Sequence, residues 1–371
     1  MSAALPAGRK ARIGAIGAGW WATSNHFPIY AARDDVELVG VCGQGPTLGA
    51  VRDEFGFGFA TEDYDELLDA DLDGVVITTP HDLHVEHALR AIDRGLHVQV
   101  EKPVSLDAAS AWELVRRSEA AGTHVLVPYG WNYKPFTIAA KRLVDAGHLG
   151  EIQHVLCHMA SPTRGLFAGN PDDIRSRWDS NTAGPQASTW QSPERGGGYA
   201  HGQVTHSSAL LFWLTGLRAE SVISKMTAPG AAVDLFNSAV LGFEGGALGA
   251  LSGAATLPDE DPYQVDIRVF GSEGVLMLDT ERERVSLHRY DGKRWDLDIE
   301  PGAGGYECLA PPARFVDLLT GRETENHSDA RVAARSVELI DAMHRSAAAG
   351  GAEILLPPLH EALTPSRRTT S

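Results

Sequence analysis

A short apolar strand that ends in a glycine-rich turn is the feature that most constrains the fold of this chain. The strand is predicted over Arg12 to Ile16, and it continues as Gly17-Ala18-Gly19-Trp20-Trp21-Ala22. Gly17 permits a tight turn, Gly19 lets the backbone approach a pyrophosphate, and the following helix presents its N-terminus to that anion. Because Val36 to Cys42 supplies the second strand of a βαβ unit, the pattern predicts a doubly wound parallel sheet that binds a dinucleotide.

The end of the second strand bears on which dinucleotide is bound. An acidic residue normally stands there and binds the ribose hydroxyls of adenosine. In this chain the position is Gly43, followed by Gln44. The missing carboxylate removes the repulsion that would exclude a 2′-phosphate, but no arginine follows directly to attract one. The sequence therefore leaves NAD and NADP both open as the cofactor.

A lysine stands at the end of another predicted buried strand. The strand covers His97 to Val100, and it should stop at Pro103 because proline lacks the N–H that a sheet ladder needs. The carboxyl ends of parallel strands face the ligand crevice of such a sheet. Lys102 is therefore predicted to contact a ligand, the alternative being that it pairs with Glu101 at the surface.

Three histidines recur at steps of three after the neighbouring strand. Gly74 to Thr79 is closed by Pro80, and a helix is predicted from His81 to about Arg94 that includes His84 and His87. A metal cluster is one interpretation, but three-residue steps drift around a helix and no nearby cysteine completes a tetrahedral set. We therefore expect no metal. His81 and His84 should lie at the cofactor edge, and His87 should be exposed.

The pattern changes after about residue 125, where strand-like runs follow one another mostly without intervening helices. It predicts a dinucleotide-binding domain over residues 1–125, an α+β domain over 126–356 with one sheet face covered by helices, and a disordered or loosely draped tail over 357–371. The predicted strands of the second domain are Ile152 to Met159, Ser221 to Thr227, Leu235 to Phe243, Ala247 to Ala254, Tyr263 to Phe270, Val275 to Asp279 and Val285 to Arg289.

Composition argues against several partners. The chain has 371 residues with 32 Lys and Arg against 49 Asp and Glu, a formal net charge of −17. Nucleic acid is disfavoured because its binding needs clustered basic residues. One long uncharged run, Gly196 to Leu217, contains glycines, histidines and hydroxyls, and its apolar core is too short to span a membrane. Three widely spaced cysteines and no convincing signal peptide favour a reducing cytoplasm.

Several of these motifs together resemble the Gfo/Idh/MocA family of nicotinamide-dependent oxidoreductases. The similar segments are Ile13 to Ala22, Val76 to Pro80 with His84, His97-Val98-Gln99-Val100-Glu101-Lys102-Pro103, Gly130 to Pro135, and Trp190 followed by Gly196-Gly197-Gly198 and His206. The resemblance covers nearly the whole chain. It implies an N-terminal Rossmann domain with a doubly wound parallel sheet, followed by an α+β domain with a large, mostly antiparallel open sheet.

The resemblance also implies roles for individual residues. The pyrophosphate side of the cofactor would be bound by the turn residues Gly17, Gly19, Trp20 and Trp21, with Gly43 at the adenosine end. The nicotinamide side would be contacted by Thr79, Pro80, Glu101, Lys102 and Trp190. Lys102 would hold the substrate oxygen, and His206 would be the acid/base partner. Tyr199 and Gln191 are further candidates for substrate binding, with packing or loop positions as the alternative.

One position departs from the family pattern. Many members carry an aspartate four residues before the histidine, whereas this chain has Gly202. If a helix begins near His201, positions 202 and 206 share a face, so we expect empty space there that could admit a bulkier substrate. His201 itself is expected to be a packing residue.

Three function classes follow from these residues. The leading one is an NAD- or NADP-dependent dehydrogenase or ketoreductase that acts on a CH–OH group of a sugar, cyclitol or glycoside. The second is a glycosidase or lyase that oxidises its substrate transiently, and the third is a non-catalytic regulator that senses a dinucleotide. Lys102 and His206 argue against the third. An uncovered sheet face and the resemblance together imply a homodimer or homotetramer.

Overall fold

The chain folds around two sheets with helices packed against them. A computed structural model describes residues 5–6, 8–170 and 184–364. In these residues the first sheet has six strands and the second has nine. The strands of the first sheet are Ala11–Ile16 (β1), Val36–Cys42 (β2), Phe59–Thr61 (β3), Gly74–Ile77 (β4), His97–Val100 (β5) and Val125–Leu126 (β6).

The first sheet is parallel throughout, in the order β3-β2-β1-β4-β5-β6. The prediction of a doubly wound sheet is confirmed. The strand order reverses between β1 and β4, and this reversal opens a crevice at the carboxyl ends of the strands. Strand β5 has the bounds that the sequence predicts. The pattern does not predict β3, because three residues are too few to show an alternation.

Helices surround both sheets. They are Phe27–Ala31 (α1), Leu48–Phe55 (α2), Tyr64–Leu68 (α3), His84–Asp93 (α4), Ala108–Ala121 (α5), Pro135–Asp145 (α6), Arg164–Ala168 (α7), Ala187–Trp190 (α8), Thr205–Thr215 (α9), Ala310–Leu319 (α10), Ala330–Ala348 (α11) and Leu359–Ala362 (α12). Single turns of 3-10 geometry cover His81–Leu83, Gly130–Tyr133 and Pro193–Arg195, and π turns cover Ala22–His26 and Ala200–Val204. Among the described helices, none has the length and apolar character that crossing a membrane requires.

The second sheet is mixed but mostly antiparallel, with the single parallel pair β7 and β10 among its described strands. Its order is β14-β13-β12-β11-β7-β10-β9-β8-β15. The sequence pattern misses β14, whose half-exposed residues lack an apolar alternation. The strands are Ile152–Ala160 (β7), Ala219–Thr227 (β8), Phe236–Phe243 (β9), Leu248–Ala254 (β10), Gln264–Gly271 (β11), Gly274–Asp279 (β12), Arg284–Arg289 (β13), Arg294–Leu297 (β14) and Ile354–Leu355 (β15).

Residues alternate between the two faces of the second sheet. In β9, Ala239, Leu241 and Phe243 are buried, whereas Val240 between them is 57% exposed. Helix α9, which is buried along nearly its whole length, and helix α11 pack on the buried side. The uncharged run that contains α9 is therefore a core element of this domain.

Helix α10 comes from the far end of the chain but packs on the first sheet. Phe315 and Leu319 lie in one apolar cluster with Ile13 and Ala15 of β1. Gly74 of β4 has no side chain, and a Cβ there would lie 2.9 Å from the Phe315 ring. The two helix residues thus fill space that this strand leaves free.

The segment expected to form a loose tail is partly ordered. Leu359–Ala362 forms helix α12, and the carbonyl oxygen of Pro357 accepts a hydrogen bond from Arg218 (2.7 Å). The buried arginine needs acceptors, and Pro357 supplies one. This part is therefore not disordered, but α12 has no buried residue, so a segment draped over the surface stays a prediction. Residues 365–371 lie outside the described residues.

A buried ion pair in the second domain also binds a tryptophan of the first domain. Arg218 at the start of β8 donates to both carboxylate oxygens of Glu338 on α11 (2.5 and 3.0 Å). The same carboxylate accepts from Trp112 Nε1 on α5 (3.0 Å). Both charged side chains are almost fully buried, at 2% and 1% exposure. Such a pair contributes little net stability, but removing one partner leaves the other charge buried without it.

We expect Glu338→Met to lower the free energy of unfolding by up to about 3 kcal/mol, because the buried Arg218 then keeps only Glu244 (2.6 Å) and the Pro357 carbonyl as partners. The double variant Arg218→Met/Glu338→Met should lose less than Glu338→Met alone, since it leaves no charge in the core. Urea denaturation followed by circular dichroism measures both. A double variant that is less stable than Glu338→Met would contradict this explanation.

Candidate active site

A cavity of about 830 Å³ lies between the carboxyl edge of the first sheet and helix α9 of the second domain. One wall is the glycine turn after β1, and the floor is the end of β5. The opposite wall carries residues from α8, α9 and the segment before α10. The predicted site residues that line it are Gly17, Gly19, Trp20, Trp21, Gly43, Thr79, Pro80, His81, His84, Glu101, Lys102, Trp190 and His206.

The glycine turn has the shape that a pyrophosphate needs. Gly17 has a φ of +100°, and a Cβ there would lie 2.6 Å from Thr78 Oγ1, so only glycine fits. Thr78 Oγ1 donates to the Gly17 carbonyl (3.0 Å) and holds the turn against β4. At Gly19 no atom lies within 4 Å of the position that a Cβ would take, which leaves the approach to the backbone open. These residues fit a dinucleotide.

The end of the cavity beside β2 and β3, where the sequence predicts the adenosine, contains polar groups that the sequence motifs do not reveal. Gln44 donates from Nε2 to the Glu62 carbonyl oxygen (3.1 Å), and Glu62 itself lines the cavity just beyond β3. Because β3 is too short to be recognised in the sequence, no pattern predicts that Glu62 lies at this edge of the sheet. A Cβ at Gly43 would lie 3.1 Å from both Ala18 and Leu48, so the glycine also permits close packing there.

Glu101 is the centre of a buried hydrogen-bond cluster. Its Oε1 accepts from Trp21 Nε1 (2.8 Å) and lies 2.7 Å from His26 Nε2, and its Oε2 accepts from the Lys102 backbone N–H (3.1 Å). Burial alone would raise the pKa of this carboxyl, but the hydrogen bonds from His26 and Trp21 and the nearby Lys102 charge bring the net pKa below its ordinary value. Glu101 is thus a charged anchor for the end of β5.

Lys102 is buried in the cavity floor rather than paired at the surface. It is 6% exposed, and Nζ donates to the Gly202 carbonyl oxygen (2.9 Å). Nζ also lies 5.3 Å from the centroid of the Trp190 ring. Burial lowers the pKa of this amine, and the charge of Glu101 opposes that shift. The surface-pair alternative is therefore wrong.

His206 enters the cavity from helix α9. Its ring lies edge-on to Tyr129, Trp131 and Tyr306, with centroids 5.8, 5.8 and 5.0 Å away. Nδ1 is buried with no hydrogen-bond partner among the described residues, which leaves Nε2 as the nitrogen that can reach the cavity. Burial and the neighbouring Lys102 charge hold the pKa of His206 well below 6.5, so the ring is neutral at neutral pH.

The space expected at Gly202 is filled. A Cβ at this position would lie 2.6 Å from the Phe167 ring and 3.3 Å from the Trp190 ring. The expectation of an empty site that admits a bulkier substrate is wrong, because two aromatic side chains from α7 and α8 already occupy it. An aspartate at 202 would require both rings to move.

Several predicted residues lie elsewhere. The Tyr199 hydroxyl hydrogen-bonds to Ser161 (3.1 Å) in the core, and Gln191 packs on Gly169, so neither lines the cavity. His201 stacks on His344, with ring centroids 4.7 Å apart, in agreement with a packing role. His87 does line the cavity, but it is buried with its Nδ1 3.2 Å from Thr79 Oγ1, so the prediction that it is exposed is wrong.

The other two histidines lie at the cavity edge and bind backbone. His81 Nδ1 lies 2.9 Å from the Gly196 carbonyl oxygen, and the two ring nitrogens of His84 each lie 2.7 Å from a carbonyl oxygen, of Thr79 and of Pro103. Across the described residues, no group of three or more potential ligands could hold a metal ion. These histidines hold the strand ends in place.

Fold and cavity together define a two-domain oxidoreductase with a dinucleotide-binding sheet. Residues 11–129 match the family described as "Oxidoreductase family, NAD-binding Rossmann fold", and residues 137–277 match the C-terminal domain of the same family, Gfo/Idh/MocA. The chain belongs to the Gfo/Idh/MocA family, and it is an oxidoreductase with an NAD-binding Rossmann domain.

Relatives and solved structures show what this chain is similar to. A dTDP-3,4-didehydro-2,6-dideoxy-alpha-D-glucose 3-reductase from Streptomyces violaceoruber is 28% identical over 91% of this chain and 96% of that protein. A D-glucoside 3-dehydrogenase from Escherichia coli K12 is 31% identical over 38% of this chain and 41% of that protein. The crystal structure of the WlbA dehydrogenase from Bordetella pertussis, in complex with NADH and UDP-GlcNAcA, is 23% identical with a TM-score of 0.72, covering 95% and 99% of the two chains.

We expect Gly19→Asp to abolish tight dinucleotide binding, because the open approach at Gly19 would receive bulk and a negative charge facing a pyrophosphate. NADH fluorescence titration measures the affinity. Gly49→Asp is the matched control, since Gly49 on the surface of α2 has the same free space but does not line the cavity. Unchanged NADH affinity in Gly19→Asp would show that the dinucleotide binds elsewhere.

Proposed function

We propose that this chain transfers a hydride between a nicotinamide dinucleotide and a secondary hydroxyl or keto carbon of a sugar. The observation that carries the proposal is the convergence of Lys102 and His206 on one cavity that also contains the glycine turn. The lysine comes from the first sheet and the histidine from the second domain. A sugar bound between them would be in reach of both side chains.

The two side chains divide the proton chemistry. The nicotinamide accepts or supplies the hydride when bound. In the oxidation direction, the neutral His206 accepts the hydroxyl proton at Nε2, and Lys102 donates a hydrogen bond to the same oxygen from Nζ. In the reduction direction, His206 returns the proton to the new hydroxyl. The buried setting of both groups strengthens these interactions, because little water competes for them.

Two further observations support a sugar as the substrate. The rings of Trp190, Tyr263 and Tyr306 line the cavity, and aromatic faces suit the C–H faces of a pyranose. The names of the Streptomyces and Escherichia relatives both specify carbon 3 of a hexose derivative. We therefore propose carbon 3 as the position of hydride transfer, to be checked by the regiochemistry of the product.

We expect Lys102→Met to keep NADH affinity and to lower turnover of the best sugar at least about a hundredfold.

In the parent protein, kcat/KM for oxidation should fall on the acid side of pH 6.5, because protonated His206 cannot accept the proton and its pKa lies below that value. His206→Gln should remove this acid limb as well as most of the turnover. A panel of hexose derivatives with NAD or NADP, followed at the nicotinamide absorbance, provides the measurements.

His360→Gln is the control for the histidine variant, since His360 on α12 is exposed and does not line the cavity. Its pH profile should match that of the parent. Parent-like turnover in Lys102→Met would overturn the proposed chemistry. Cleavage of a glycoside without net change in nicotinamide would point to the glycosidase class instead.

We also propose that the open face of the second sheet binds a second copy of the chain. Ile223, Val240, Ala250 and Leu156 are successive cross-strand neighbours, and they form an apolar row across four strands. Three of them are large and exposed, at 41%, 57% and 37%. An apolar row of this length on a sheet face is typical of an interface.

We expect the double variant Ile223→Asp/Val240→Asp to be a monomer, because it buries two charges in the proposed interface. Light scattering at micromolar concentration should give a dimer or tetramer for the parent. Leu309→Asp is the control, since Leu309 is equally exposed but lies outside this sheet. A monomeric parent would contradict the proposal.

A further inference from the structure

Gln203 is a buried polar side chain that the hydride-transfer chemistry leaves without a role. It lies between Gly202 and His206 on the turn that leads into α9, it is 8% exposed, and it lines the cavity. Its amide is open to the cavity, and no side-chain hydrogen bond joins it to another described residue. An amide that faces a cavity without a protein partner can form its hydrogen bonds only with solvent or with a bound molecule, so its place in the cavity wall suits recognition of a substrate oxygen.

We propose that Gln203 binds the oxygen substituent on the sugar carbon next to the carbon that exchanges the hydride. This inference rests on the proposed function and names the part of the substrate that the site recognises. Gln203 and His206 are three residues apart, a separation that brings Cβ atoms on one helix side to about 5–6 Å of each other. Both side chains line the same cavity, so one pyranose ring can present neighbouring oxygens to them.

The chemistry of an amide suits this position. A carboxylate can only accept hydrogen bonds, whereas the glutamine amide both donates and accepts. It can therefore accept from a hydroxyl and donate to a keto oxygen on the neighbouring carbon. The carbonyl of Gly202 is held by Lys102 Nζ (2.9 Å), which fixes the backbone next to Gln203. The polar group that faces the substrate here stands one residue after the position where many family members carry an aspartate.

The test uses Gln203→Met, which keeps the length of the side chain and removes its hydrogen bonds. With the best sugar from the hexose panel, KM should rise about tenfold, the effect of one lost neutral hydrogen bond, while kcat and the pH profile stay close to those of the parent. NADH affinity and the melting temperature should not fall, because the amide has no partner to lose among the described residues. Gln203→Asn retains the amide and should recover part of the affinity.

The decisive comparison uses deoxy sugars. The parent should discriminate about tenfold against the analogue that lacks the hydroxyl next to the reacting carbon, and Gln203→Met should show no discrimination against it. If the parent turns over a sugar but Gln203→Met has the same KM and the same discrimination, the role of Gln203 is overturned and the proposed function stands. A fall of kcat with KM unchanged would also overturn it. If the parent turns over no sugar, the proposed function fails and this inference fails with it.

Discussion

The hydrogen bond from Lys102 Nζ to the Gly202 carbonyl is the interaction on which the site depends. It joins the end of β5 to the turn before α9, two segments 100 residues apart in the chain. A buried ammonium needs an acceptor, and here the acceptor is a neutral backbone oxygen rather than a carboxylate. The amine is therefore less strongly held in its charged form, in agreement with its lowered pKa. The site is built around a cation that burial makes easier to deprotonate.

Further buried hydrogen bonds around Glu101 support the position of Lys102. Glu101 Oε1 accepts hydrogen bonds from Trp21 Nε1 and His26 Nε2. His26 Nδ1 in turn accepts from Gln99 Nε2 (3.3 Å), and Gln99 Oε1 accepts from the Tyr30 hydroxyl (2.7 Å). The chain of contacts connects the helical segments after the glycine turn with Gln99 of β5 and with Glu101 directly after it. Because these groups are buried and mutually paired, they fix the direction in which the strand end presents its lysine. The glycine turn and the end of β5 are thus one structural unit.

The sequence predicts the parts of this molecule that repeat or that alternate. The alternation of apolar residues predicts most strands of both sheets, and the glycine turn with the Glu-Lys-Pro segment identifies the crevice. The sequence does not reveal which distant side chain fills a given space. Phe167 packs against Gly202, and Glu62 lines the cavity beside β3, yet no local sequence pattern predicts either position. The sequence does not predict a role for Gln203 for the same reason. One polar residue in a buried helical turn becomes informative only when its lack of a protein partner is known.

Helix α10 carries a consequence for the way the chain is made. Protein synthesis proceeds from the N-terminus, and domains generally begin to fold as they emerge from the ribosome. The first sheet, however, has part of its apolar cover in Phe315 and Leu319, almost two hundred residues after its last strand. Its native packing cannot be complete until those residues have been translated. The nascent chain therefore carries an unfinished nucleotide-binding sheet throughout the synthesis of the second domain.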